Sequence, residues 1–207
     1  MYSGITKGLF PVVKVEKHAD VLNYTVRLSK ELSANLCLGD SVAVDGVCQT
    51  VVSIVEDDIY FQAIPETLSK TTLHKLTVNS LVSIERSLRF GDEMGGHEVA
   101  GHVFGTAIIS QILRTGDSAT VVIHCNPSWM KYILPKGFIA VDGSSLTVGE
   151  TDAQQGLFVL HLIPETLRLT NFGNKKVGDL VNIEFDYKTK TIVDTVERVM
   201  QQGFETA

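Results

Sequence analysis

Ser41, Cys48 and His102 are the side chains of this 207-residue chain whose types and places suit nucleophilic and proton-transfer chemistry. A thiol or hydroxyl can add to an electron-poor carbon, and an imidazole can carry a proton near neutral pH. Taken singly, each has a plainer explanation. A lone Cys is more often a small buried hydrophobe, a lone His a hydrogen-bonded structural residue, and a Ser after Gly39-Asp40 an ordinary turn residue. Repetition changes those odds. Ala43-Val44-Asp45-Gly46-Val47-Cys48-Gln49-Thr50 returns ninety-seven residues later as Ala140-Val141-Asp142-Gly143-Ser144-Ser145-Leu146-Thr147. Across the two copies, Ser41, Cys48 and His102 face Phe138, Ser145 and Ile5. A scaffold kept twice needs no such polar differences, whereas a site in which two like pockets play unlike parts does.

Other polar positions are repeated instead of differing. Thr50 matches Thr147, and Thr67 matches Thr166. β-propensity and local turn bonding would explain them; so would ligand contact through hydroxyls and neighbouring backbone groups, made twice. Two similar pockets imply two similar ligands. The stretch Gly95-Gly96-His97-Glu98-Val99-Ala100-Gly101-His102 has the outline of a zinc-protease helix. That motif needs its second His four residues after the first, so that both rings share one helix face. Here it is five residues on, about 140° around a helix, among several glycines, and a strand entered through a Gly-rich turn fits better. No metal site is assigned.

The elements that must position these groups are short strands. Asp-Gly between strand-like runs signals a tight hairpin, so Cys48 and Ser145 each sit just past a turn. Gly4 to Gly8 opens a first strand that continues through Val12 to Val15, and Gly101 to Gly105 is its counterpart. Val21 to Leu28 is a second strand. Ser29 offers an N-cap for a short helix over Lys30 to Ala34, and Asn126-Pro127 offers one for Trp129 to Ile133. Strands at Ile59 to Ile64 and Leu157 to Ile163 run into the same phrase, Ile-Pro-Glu-Thr-Leu. There the offset has become ninety-nine, which places two extra residues in the Ala153 to Gly156 turn. Val82 to Glu85 and Val181 to Glu184 close the two units.

The chain is therefore expected to be all-β. It has two tandem, similar, six-stranded antiparallel closed barrels of Greek-key type, over residues 1–97 and 98–186, and a C-terminal helix in 187–207. A pair of open sandwiches is the alternative, and periodicity alone does not separate the two. In the last segment Ile192, Val193, Val196, Val199 and Met200 share one helix face, opposite Asp194, Glu197, Arg198 and Gln201. That apolar stripe must pack on the chain's own barrels or on another subunit.

A net charge of −6 argues against a nucleic-acid partner. No apolar run approaches membrane-spanning length, and Met1 to Phe10 lacks the features of a signal peptide. Three cysteines, odd in number and without Cys-x-x-Cys, suit a reduced, cytoplasmic protein.

With these motifs in order, the chain resembles the riboflavin synthase family, α-chain type. The resemblance rests on the opening Met1-Tyr2-Ser3-Gly4-Ile5, the two hairpins, Gly95 to His102 and both Ile-Pro-Glu-Thr-Leu phrases. The tail, Val193-Asp194-Thr195-Val196-Glu197-Arg198-Val199, belongs to it as well. It covers nearly the whole chain. It implies a homotrimer held by the C-terminal helix. It also implies a reaction in which two molecules of 6,7-dimethyl-8-ribityllumazine exchange a four-carbon unit, giving riboflavin and 5-amino-6-ribitylaminouracil, with no cofactor and no metal. The resemblance further implies that the two ligands meet where one subunit's N-terminal barrel adjoins a neighbour's C-terminal barrel. A non-catalytic lumazine- or flavin-binding antenna of the same fold is the rival reading. Such proteins tend to degrade one pocket, whereas here both repeated phrases, Cys48 and His102 survive. Whether the chain associates with lumazine synthase is left open.

The resemblance also implies site residues. Ser41, Cys48 and His102 fall on active-site positions; Ser41, Cys48 or a water would supply the nucleophile. Ligand-contact positions in the first copy are Cys48, Gln49 and Thr50, with Gln62, Ala63, Ile64, Pro65, Glu66 and Thr67. In the second copy they are Lys136, Ser145, Leu146 and Thr147, with His161, Leu162, Ile163, Pro164, Glu165 and Thr166. Gly4, Ile5 and Thr6, then Gly101, His102 and Val103, supply the rest, and Asp186 is a further acidic position. Three departures are visible. The family usually opens Met-Phe, where Tyr2 adds a hydroxyl. Some members pair cysteines at the hairpin, where Val47 precedes a single Cys48. Ser144 replaces a usual apolar residue.

Overall fold

Period-two burial builds the sheet. Asp58–Ala63 and Leu157–Leu162 bury alternate side chains in the same pattern, which is what strands with one face on a core must do. The computed structural model describes residues 1–202. Strands β1 (Leu9–His18), β2 (Val21–Arg27), β3 (Ser41–Val44), β4 (Val47–Val55), β5 (Asp58–Ala63) and β6 (Leu81–Arg86) close a first barrel in the order β1-β2-β5-β4-β3-β6. Strands β7 (Gly105–Thr115), β8 (Ser118–His124), β9 (Phe138–Val141), β10 (Ser144–Asp152), β11 (Leu157–Leu162) and β12 (Leu180–Phe185) close a second in the same order. β3, β4 and β5 follow one another, and β6 returns beside β3: a Greek key, repeated in β9 to β12. Closure removes the exposed edges that open sandwiches would leave. Matching register shifts bend the strands around, in β1 and β7 and again in β4 and β10.

Each barrel has its own core. Tyr24, Ile59, Phe61, Leu73 and Ile84 fill the first, and Ile109, Ile123, Ile139, Phe158 and Phe172 fill the second. The turn from β4 to β5 is two residues long and that from β10 to β11 four, which accounts for the change of offset. Short helices α1 (Lys30–Ser33), α2 (Pro65–Lys70) and α3 (Pro164–Leu169) fall where the capping signals put them. Pro127–Tyr132 is a 3-10 turn capped by the Asn126 side chain.

One expectation fails. Residues 4–8 and 101–104 are not strand; β1 begins at Leu9 and β7 at Gly105. Nor is His97 to His102 a strand, since within it Val99 makes only a single antiparallel bridge, to Tyr2. The physical reason lies in Glu85 and Glu184, whose carboxylates take the backbone N–H groups that a ladder would have used.

The two barrels meet turn to turn. Asp45 and Gly46 have φ of 45° and 77°, and Asp142 and Gly143 have 45° and 81°. Positive φ at both central residues is what a type I′ hairpin requires. A Cβ on Gly46 would lie 2.3 Å from Gly143 N, so glycine is needed for closeness as well as for conformation. Around this contact, Asn171 Nδ2 donates to Asp45 Oδ1 (3.0 Å), and Asn182 Nδ2 donates to Asp45 O (2.8 Å) and to Thr72 Oγ1 (2.9 Å). Lys175 pairs with Asp142 at 3.0 Å.

Burial, then the charge of Asp142, push the Asp45 carboxyl up to about 7; Lys175, the Ser83 N–H and Asn171 pull the other way. The folded state thus holds this proton more tightly than the unfolded chain does. Its contribution to stability is complete below the ordinary carboxylate range and is lost as pH rises through about 7. Asp45→Asn keeps an acceptor for both donors and tolerates positive φ. Its melting temperature relative to the parent is expected to rise between pH 5 and pH 8, and calorimetry at both pH values checks this.

Candidate active site

The hairpins present Cys48 on β4 and Ser145 on β10, each half-buried one residue into its strand. What lies on each hairpin comes from the other half of the chain. Cys48 N donates to Gly101 O (2.8 Å), and Ser145 N donates to Gly4 O (2.8 Å). Gly4 to Thr6 therefore lie on the second barrel's hairpin, where Thr6 Oγ1 meets Ser144 Oγ at 3.3 Å. Gly101 to Val103 lie on the first, where Val103 packs on that barrel's core. Buried carboxylates hold both segments down. Glu85 accepts from Ser3 N, Ser3 Oγ and Gly4 N at 2.7, 2.7 and 3.0 Å. Glu184 accepts from Ala100 N and Gly101 N at 2.7 and 2.9 Å. Burial pushes both carboxyls up and these N–H groups pull them back.

Gly4, Ile5, Thr6, Ser145, Leu146, Ile163, Glu165 and Thr166 come together around one cleft of about 150 Å³, joined by Ser144, Leu169 and Thr170. The chain's repeat places Gly101, His102, Val103, Cys48, Gln49, Ile64, Glu66 and Thr67 at the matching positions of the first barrel. Ile64 and Ile163 are exposed beside the starts of α2 and α3, both of which open Pro-Glu. Thr50 and Thr147 are exposed one strand-turn further along, and Ser41 is the cross-strand partner of Thr50. His102 is exposed, and its charge and backbone N–H bear on Glu184.

Of the contact residues expected in the second copy, Lys136, Thr147, His161, Leu162 and Pro164 do not line this cleft. Ala63 and Leu162 are buried in the barrel cores. Gln62 donates to Asn23, and His161 bonds Thr120 and Glu150, all on exposed strand faces. Pro65 and Pro164 open their helices. Lys136 occupies an exposed turn at φ 66°, matching Gly39 at 87°. Asp186 caps helix α4 (Tyr187–Gln202) by accepting from Thr189 N and Oγ1.

Sequence reasoning missed His97, Glu85 and Glu184. His97 is buried, stacks on Phe138 with centroids 5.1 Å apart, and its Nδ1 lies 2.6 Å from Ser145 Oγ. Burial lowers its pKa, with Asp186 opposing. A hydroxyl bonded to a largely neutral imidazole can pass a proton either way. The two hairpins thus differ in chemistry: a thiol on the first, a hydroxyl–imidazole pair on the second. Glu85 and Glu184 did leave a signal, an acid repeated at the end of both closing strands. His97 left none beyond the close-approach glycine beside it, since a Cβ on Gly96 would lie 2.2 Å from Ser3 O and 2.8 Å from Ser145 Oγ.

Both halves of the chain match the family model of the lumazine binding domain, over residues 3–87 and 100–186. Riboflavin synthase of Buchnera aphidicola subsp. Schizaphis graminum is 42% identical, covering 100% of this chain and 99% of that protein. The Escherichia coli (strain K12) riboflavin synthase is 42% identical, covering 97% of this chain and 93% of its own length. The crystal structure of LumP complexed with riboflavin matches with a TM-score of 0.83 at 25% identity, covering 90% of this chain and 100% of that one. LumP complexed with 6,7-dimethyl-8-(1'-D-ribityl) lumazine matches at 0.79 and 26%, covering 89% and 98%.

The crossed segments predict a selective defect. A Cβ on Gly101 would lie 2.7 Å from Cys48 Cβ and 2.9 Å from Cys48 N, at a φ of +79°. Gly101→Ala should therefore lift its segment from the first hairpin, and amide exchange at Cys48 should speed up while Ser145 stays protected. Gly4→Ala, whose Cβ would meet Ser145 Cβ at 2.5 Å, should do the reverse. Equal exchange at both amides in each variant would contradict the arrangement.

Proposed function

The chain belongs to the riboflavin synthase family, whose lumazine binding domain it carries twice, and on that footing we propose that its two clefts hold the two reacting molecules in unlike chemical settings. The reaction is the dismutation of two 6,7-dimethyl-8-ribityllumazine molecules into riboflavin and 5-amino-6-ribitylaminouracil, by transfer of a four-carbon unit. The observation that carries the proposal is the pair of equivalent hairpins, each covered by a segment from the other half, one bearing Cys48 and the other the Ser145–His97 pair.

Chemistry gives the two settings different tasks. The lumazine 7-methyl is acidic because its anion delocalises into the heterocycle, so one molecule must lose a proton to a base. The other must be activated at C7 by a nucleophile. On this reading His102 carries the proton, and Cys48, Ser41 or a water held by them adds to C7. Ser145, with its proton shared with His97, serves the molecule on the second barrel. Most of the acceleration comes from holding two rings face to face, since fixed orientation alone removes a large part of a bimolecular barrier.

A single chain does not bring its own two clefts together on this reading; a neighbour does, in a homotrimer. Helix α4 supports that assembly. Its polar side docks on the chain's own second barrel, where Tyr132 donates to Asp194 and Lys131 pairs with Glu197, while Lys190 pairs with Asp194 within the helix. Val193 packs on that barrel's core. Ile192, Val196, Val199 and Met200 are left 48% to 71% exposed. The stripe drawn from the sequence thus divides, with Val193 turned inward and the rest outward, and the last residues of the 187–207 segment, 203–207, lie outside the described residues. A helix that docks by charges and exposes its apolar side has a partner to meet. The antenna reading is less favoured, because the full-length relatives quoted above are enzymes. A cytoplasmic setting fits the unpaired cysteines, Cys37, Cys48 and Cys125.

Purified protein given the lumazine alone should form riboflavin, followed by its absorbance; stable bound lumazine without product would sink the enzyme reading. His102→Gln is expected to slow turnover by about 10²-fold, the ordinary contribution of a positioned proton carrier. Cys48→Ser should slow turnover while ligand fluorescence still reports binding. Chains ending at Tyr187, or carrying Val196→Asp, should sediment below trimer mass, keep ligand binding and lose most activity, because an unpaired charge is costly to bury in that seam. A monomer with full activity would refute the shared site.

A further inference from the structure

We propose that the Tyr2 hydroxyl is a positioning group for the Cys48 thiol, holding the sulfur as a hydrogen-bond acceptor at the wall of the first cleft. The proposal deepens the preceding reading, in that it rests on Cys48 facing a ligand there. Tyr2 is fully buried, and its Oη donates to Cys48 Sγ at 3.2 Å. Both ends of that contact are fixed. Tyr2 N donates to Val99 O (2.7 Å), Val99 N donates to Tyr2 O (3.0 Å), and Leu88 N donates to Met1 O (3.0 Å). The ring packs among Ala43, Val99 and Ala140, the small core between the barrels. On the other side, Cys48 N is held by Gly101 O, and Cys48 O accepts from Gln49 Nε2 (2.9 Å). With its backbone pinned, the thiol keeps one freedom, rotation about Cα–Cβ, and the phenol selects among its rotamers.

A phenylalanine would fill the same space, so the hydroxyl is the part of Tyr2 whose bonding has to be accounted for. A buried hydroxyl is costly unless it is bonded. Here its neighbours are Cys48 and Ser87, whose Oγ in turn donates to Ser41 O at 2.8 Å. Burial pushes the phenol's ionisation upward, so it stays a donor throughout the working range. A thiol is a weak acceptor, so the contact acts through geometry: it aims the sulfur. Nothing equivalent exists at the second hairpin, because the residue matching Tyr2 is Val99, and Ser145 bonds to His97 instead.

The test is Tyr2→Phe in a Cys37→Ser background, which removes the exposed thiol and leaves Cys125 buried. Alkylation of Cys48 by iodoacetamide at pH 7, without ligand, should slow by about three- to tenfold, the range of one hydrogen bond's net contribution. With lumazine, kcat should fall by a similar factor at unchanged KM. An unchanged alkylation rate overturns the proposal. Slower alkylation with unchanged kcat upholds the Tyr2–Cys48 contact and overturns instead the part given to Cys48 in turnover. If Tyr2→Phe lowers the melting temperature, the same substitution in a Cys48→Ala chain decides the matter. The loss should shrink there if the thiol is the hydroxyl's partner, and an undiminished loss refutes the pairing.

Discussion

Gly46 and Gly143 touch backbone to backbone, and the site depends on that contact. Neither residue has room for a Cβ, and both stand at positive φ, so the two hairpins press together as no other residue type would allow. The contacts around that approach are reciprocal, Cys48 N to Gly101 O and Ser145 N to Gly4 O. The approach also puts Asp45, Asp142, Lys175, Asn171 and Asn182 into one buried cluster. Burial, and after it the charge of Asp142 beside a single Lys175 ammonium, keeps the Asp45 carboxyl holding its proton to about 7. Such clusters are costly to build, but hydrogen bonds that run from one half to the other give the two barrels one relative orientation instead of several.

From that orientation the exchange of segments follows. With the hairpins abutting, Gly4 and Thr6 ahead of β1 and Gly101 ahead of β7 lie on the opposite hairpin. Glu85 and Glu184 then capture their N–H groups in pairs, a charge-assisted arrangement stronger than a neutral ladder bond. Glycine at 4 and 101 lets the backbone approach Ser145 and Cys48 to hydrogen-bonding distance. The cleft at the second barrel is therefore a joint product of both halves, with Gly4 to Thr6 from the first and Ser145, Ile163 and Thr166 from the second.

Inside this near-symmetry the chemistry is unequal. The first hairpin has a thiol with a phenol donor; the second has a hydroxyl with a buried imidazole. One reaction that consumes two copies of one molecule needs this: similar shapes to bind both, different groups to treat them differently. The C-terminal helix adds a second inequality, turning Val193, Asp194 and Glu197 to its own barrel and Ile192, Val196, Val199 and Met200 to solvent.

While closure of each unit into a barrel was decided by the strand pairing, the sequence alone determined the two repeated β units, their hairpins, the short helices and the terminal helix. Those features follow from rules that act over a few residues: alternation of apolar side chains, Asp-Gly at a two-residue turn, Pro-Glu at a helix start. Cys48 and Ser145 were legible for the same reason, since comparing one copy with the other needs no third dimension. What only the tertiary structure decided is long-range. That Gly4 lies on Ser145 and Gly101 on Cys48, that β1 starts at Leu9, and that His97 reaches Ser145 depend on pairings some forty to one hundred and forty residues apart. No periodicity records them, because a carboxylate taking backbone N–H groups or a glycine making room for a neighbour has no spacing of its own. The helix shows the same division. Its apolar stripe is written in the sequence, while the direction it faces was set by where Lys131 and Tyr132 stood to receive its charges.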